Sequence, residues 1–118
     1  MRKPAFHKSV LNSVNGILRM LKSERNFKLE VLALLINIFL IVYLKLSPEH
    51  AAIIFLVCFA VLSAEMLNTA IEKICDFVHP DFSERIGLIK DISAGAVLLL
   101  AFVSVIIGLL IYPQYIFV

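Results

Sequence analysis

Residues 51–64 are fourteen consecutive uncharged, almost wholly apolar residues with no helix breaker, and they run directly into Glu65. The segment that follows, Glu65-Met66-Leu67-Asn68-Thr69-Ala70-Ile71-Glu72-Lys73-Ile74-Cys75-Asp76, also lacks glycine and proline. On a helix, Glu65, Asn68, Thr69, Glu72 and Asp76 fall at i, i+3, i+4, i+7 and i+11, which stacks them along one face. Carboxylates at the end of a membrane-grade apolar run are costly, and ionisable groups at such depth usually face a protein interior or a water-filled site. The stripe is therefore expected to be the active face of a membrane enzyme.

The rest of the chain agrees with a membrane setting. With 118 residues there is room for one domain, and an apolar fraction of 61% is more than a soluble chain of that length can hide. Mean hydropathy is +0.96, so the bilayer is expected to serve as solvent. Glycine and proline number four each, which favours long helices. The alternation that a transmembrane barrel needs is missing. Cys58 and Cys75 lie 17 residues apart in one helical region and are not expected to form a disulfide. His7, His50 and His79 have no metal-ligand spacing. A cleavable signal peptide is not expected, because a long polar, basic segment precedes the first apolar run.

The periodicity predicts an all-α integral membrane protein: one interfacial helix and three spans. Over residues 8–25, Val10, Leu11, Val14, Ile17, Leu18 and Leu21 share one face while Lys8, Asn12, Asn15, Arg19 and Lys22 share the other. That pattern suits a helix lying at a headgroup surface. A polar break, Ser23 to Lys28, is expected next, with Ser23 capping the first span and Glu24 at its N-terminus. The spans are expected at 29–46, 51–78 and 90–112, with a tight turn at Ser47-Pro48-Glu49-His50 and a polar loop from His79 to Arg85. Tyr112 and Tyr115 are placed as interfacial anchors. Seven of the lysines and arginines precede the first span, only Lys45 flanks the first turn, and Lys73, Arg85 and Lys90 flank the second loop. The N-terminus and second loop are thus expected in the cytoplasm and the C-terminus outside.

This orientation puts Glu24, Glu65, Glu72, Asp76, Lys90 and Asp91 toward the side where ATP is found. Phosphoryl transfer needs a divalent metal, groups that hold polyphosphate and a means of deprotonating the acceptor. Glu24 and Glu72 can share one Mg²⁺ if the N-terminal segment folds onto the second span. Glu65, two turns deeper, can meet a lipid hydroxyl as general base, and Lys90 can pair with phosphate as a point charge. The four glycines are too dispersed for a phosphate-binding loop. Interhelical hydrogen bonding is the bland alternative for the stripe, and a carboxylate-lined cation channel or a scaffold is the non-enzymatic one.

The segment Glu65-Met66-Leu67-Asn68-Thr69-Ala70-Ile71-Glu72, with Cys75-Asp76, resembles the central motif of the small prokaryotic diacylglycerol kinase family, which includes an undecaprenol kinase branch. Lys90-Asp91 with Ser93-Ala94-Gly95-Ala96-Val97 resembles a second block, and Glu24-Arg25-Asn26-Phe27 a first. The resemblance implies a homotrimer in the bacterial inner membrane that moves the γ-phosphoryl group of ATP, with Mg²⁺, to a lipid hydroxyl. It implies Glu65 as general base and substrate contact, Glu24 and Glu72 as metal ligands and nucleotide contacts, and Lys90 and Asp91 as further nucleotide contacts. Asn68 and Asp76 match motif positions that support the site. Ala94 stands near the lipid, where the diacylglycerol branch has serine, and this tilts the expected acceptor to undecaprenol over diacylglycerol. No nucleic-acid partner is expected.

Overall fold

A computed structural model describes residues 2–117. Among these residues the regular structure is helical: α1 Phe6–Ser23, α2 Arg25–Tyr43, α3 Pro48–Val78, α4 Glu84–Ile111 and the short α5 Pro113–Ile116. Three stretches are long and apolar enough to cross a membrane: Arg25–Tyr43, Pro48–Val78 and Glu84–Ile116. Successive spans run antiparallel because their connections are short. One end of the bundle therefore carries the α1–α2 junction and the α3–α4 loop. The other carries the α2–α3 turn and α5.

The boundaries differ from the sequence expectation in instructive ways. The break between α1 and α2 shrinks to the single extended residue Glu24, at φ −103° and ψ 113°. Ser23 does not cap α2: it ends α1, and its hydroxyl donates to the Arg19 carbonyl at 2.8 Å. A serine in the last turn of a helix can bond back to the carbonyl four residues earlier instead of capping the next helix. Residues 25–28, expected in the break, form the first turn of α2, and α4 starts at Glu84 rather than residue 90. The α2–α3 turn follows the expectation more closely. Ser47 accepts from the His50 amide at 3.3 Å, and Pro48 occupies the first helical position, where its missing N–H costs nothing.

Packing among the spans relies on few fully buried side chains. Met20 from α1, Phe27 and Leu34 from α2 and Leu62 from α3 form one apolar cluster. Leu32, Leu35 and Phe39 on α2, Leu56 and Leu67 on α3, and Leu98, Leu99 and Leu109 on α4 point outward. Such faces suit lipid chains, which leave no hydrophobic drive between spans and put weight on packing and interhelical hydrogen bonds. Tyr112 and Tyr115 supply these bonds as well as standing at the span's end. The Tyr112 hydroxyl donates to Asn37 Oδ1, joining α4 to α2. The Tyr115 hydroxyl lies 2.7 Å from His50 Nδ1 and accepts from the Ser47 amide at 3.1 Å. Tyr115→Phe is expected to lower stability in detergent by about 1 kcal/mol, the net worth of a typical hydrogen bond, as read by thermal unfolding.

Candidate functional site

The carboxylate stripe of α3 is where the fold buries polar groups. Glu65, Asn68 and Thr69 are each more than nine-tenths buried, while Leu67 between them is exposed. The 3.6-residue period produces this contrast by turning i, i+3 and i+4 inward together. Glu72, one turn on, is half-buried. Asn68 Nδ2 donates to Glu72 Oε1 at 3.3 Å, which orients that carboxylate, while Asn68 Oδ1 is buried without a partner.

Glu24 enters from the α1–α2 junction. Its Oε1 lies 3.9 Å from Nζ of Lys73, the residue after Glu72, so the start of α2 sits against the last third of α3. Glu65 lies within electrostatic reach of both Glu24 and Glu72. The fold thus draws three of the sequence-nominated acids into one neighbourhood within a single protomer. Lys73, the cation beside Glu24, is itself largely exposed.

Lys90 and Asp76 meet where α3 gives way to α4. Lys90 Nζ donates to Asp76 Oδ1 at 2.6 Å, tying the first turns of α4 to the last turn of α3. They border a cleft of about 360 Å³, which also takes in Asp91, His79, Phe82 and Ser83 of the connecting loop. Asp91 and Ala94 are both exposed. Ala94 therefore faces away from α3, whereas its neighbour Ser93 is the small polar residue that α4 buries.

Two more ionisable residues stand near these acids. Glu30 of α2 is half-buried, senses the charge of Glu65 and leaves Oε2 buried without a partner. It is not among the residues that the sequence nominates. The signal was present: Phe27, Glu30, Leu34 and Asn37 recur at helical spacing on the side of α2 that packs inward. Lys73 was noted only for topology, yet it is the partner of Glu24.

Among the described residues, no group of three or more His, Cys, Asp or Glu side chains forms a ready-made metal cage. The donor set nonetheless fits Mg²⁺. That ion is usually held by one or two carboxylates together with phosphate oxygens and water, rather than by an all-protein cage. Glu65 within electrostatic reach of Glu24 and Glu72, beside an amide oxygen with no partner, makes a polar pocket that a hydrated cation can satisfy.

Comparison with known proteins then gives concordant matches. A family model described as prokaryotic diacylglycerol kinase matches residues 11–112. A Bacillus subtilis protein named undecaprenol kinase is 36% identical over 107 residues, covering 91% of this chain and 87% of its own length. A Synechocystis protein named diacylglycerol kinase is 34% identical over 94 residues, covering 79% of this chain but 54% of its own length.

Proposed function

This chain is a lipid kinase of the prokaryotic diacylglycerol kinase family, and from that premise we propose that it phosphorylates undecaprenol with ATP in the bacterial inner membrane. The observation that carries the site assignment is the burial of Glu65 inside a span, with Glu24 and Glu72 gathered toward the end from which nucleotide arrives. A carboxylate at that depth can meet an alcohol dissolved in lipid, which a soluble site cannot do.

In the proposed reaction Glu65 accepts the proton of the acceptor hydroxyl. The acceptor oxygen forms a bond to the γ-phosphorus as the bond from that phosphorus to the β–γ bridging oxygen breaks, and ADP leaves. Glu24 and Glu72 would hold Mg²⁺, which supplies charge neutralisation of the polyphosphate when bound. Asn68 fixes the Glu72 carboxylate through its 3.3 Å hydrogen bond. Lys90 exchanges Asp76 for phosphate, with Asp91 beside it in the cleft. Helix α1 lies along the inner leaflet with its basic face toward headgroups, the N-terminus is cytoplasmic and the C-terminus outside, and three copies form the working assembly. The charge distribution of the sequence supports the orientation.

Undecaprenol is favoured by the long match to the Bacillus subtilis relative, and diacylglycerol is the second reading, favoured by the Synechocystis one. A single bilayer containing both lipids and Mg-ATP tests the choice. Undecaprenyl phosphate is expected to accumulate faster, and a faster rise of phosphatidic acid would reverse the assignment. Ala94→Ser is expected to move the ratio toward diacylglycerol by about three- to tenfold, the worth of one added hydrogen bond. An unmoved ratio would remove Ala94 from the substrate contacts.

A further inference from the structure

Below the carboxylates, α2, α3 and α4 line a half-open cavity of about 230 Å³. Its lining starts at Glu30, the neighbour of Glu65, and on α2 continues through Ala33 to Asn37. Seven residues of helix place that far end about 10 Å below the mouth. On the facing side, Ala101, Ser104 and Gly108 of α4 keep the wall thin.

The polar groups along the cavity are already satisfied, except at its mouth. Ser104 donates to the Ala101 carbonyl at 2.6 Å, and Asn37 Nδ2 donates to the Ala33 carbonyl at 2.8 Å. Asn37 Oδ1 accepts from Tyr112, so both ends of the amide are committed. The Tyr112 ring closes over Gly108, where an added Cβ would lie 3.8 Å from the ring edge. Only Glu30 leaves an oxygen without a partner. A space that is dry in its depth and polar at its mouth matches an amphiphile whose hydroxyl sits at the mouth. About 150 Å³ of apolar space already admits a benzene-sized hydrocarbon, so this cavity takes a stretch of one chain and has no room for two abreast.

We propose that the cavity receives the first part of the acceptor's single hydrocarbon chain and that the Asn37–Tyr112 bridge is its floor, setting how much chain is recognised before the remainder turns out into the bilayer. Asn37 and Tyr112 are then specificity-determining residues two turns from the chemistry. This rests on the single-chain acceptor proposed above.

The test uses the protein reconstituted with Mg-ATP and a series of isoprenoid alcohols of one to five units. Wild-type kcat/KM is expected to rise with each unit until the cavity is full and then level off. Asn37→Ala, which removes the floor, is expected to move that break to an alcohol at least one unit longer. Ala101→Leu, which thickens the wall, should move it to a shorter one and cut kcat/KM for the longer alcohols about three- to tenfold, with KM for ATP unchanged. Should Asn37→Ala fail to fold, the Ala101→Leu profile decides alone. Turnover with a break that neither variant moves overturns the tail site, whereas a wild-type protein that phosphorylates no isoprenoid alcohol overturns the acceptor assignment beneath it.

Discussion

Glu65→Gln is expected to lower kcat for lipid phosphorylation by about 10²–10⁴-fold, the usual contribution of a positioned general base. The binding constant for Mg-ATP is expected to change by less than about threefold, because in the proposed site Glu65 touches the acceptor and not the metal. The substitution keeps the shape of the side chain, so the buried position is filled as before. It also removes a negative charge within electrostatic reach of Glu24 and Glu72, so any residual effect on nucleotide binding should favour binding. Single-turnover transfer of labelled γ-phosphate, set beside equilibrium nucleotide binding, separates the two quantities. Wild-type turnover in this variant would take the base role from Glu65, and Glu30, the adjacent half-buried carboxylate, would be the first replacement to test.

The gross layout was legible because a bilayer permits few solutions. Apolar runs of spanning length must become helices, and Ser47-Pro48 announces a helix start by local chemistry alone. Helical spacing also sufficed to put Glu65, Asn68 and Thr69 on the buried face, since that depends on one helix only. Where two elements had to be known together, the sequence reading fell short. Ser23 is equally able to cap the following helix or bond backward, and the bond to Arg19 prevailed. Glu30 looks like a headgroup-level residue until α3 is packed against α2. The bonds from Lys90 to Asp76 and from Tyr112 to Asn37 join residues 14 and 75 positions apart, beyond any local pattern. Ser93 and Ala94 show the finest limit: successive residues on a helix point about 100° apart, so which one faces α3 depends on the rotation of α4.

Glu72→Gln is expected to act on the metal rather than on the acceptor. The half-saturating Mg²⁺ concentration should rise at least about tenfold, since losing even an outer-shell partner of a ligand costs about 10–100-fold in metal affinity. The glutamine side chain still offers an oxygen to Asn68 Nδ2, so the local hydrogen bond of 3.3 Å can persist and the fold is not at risk. What the variant loses is negative charge, and charge on oxygen is what a hard, strongly hydrated ion requires. At saturating Mg²⁺ the turnover with undecaprenol should recover most of its wild-type value, a recovery that Glu65→Gln would not show. Glu24→Gln should produce the same pattern, because Glu24 reaches α3 from the α1–α2 junction, as its approach to Lys73 shows. A Glu72→Gln protein whose Mg²⁺ midpoint stays put while kcat falls would move Glu72 from the metal to the reacting groups, and would leave Glu24 as the sole carboxylate ligand.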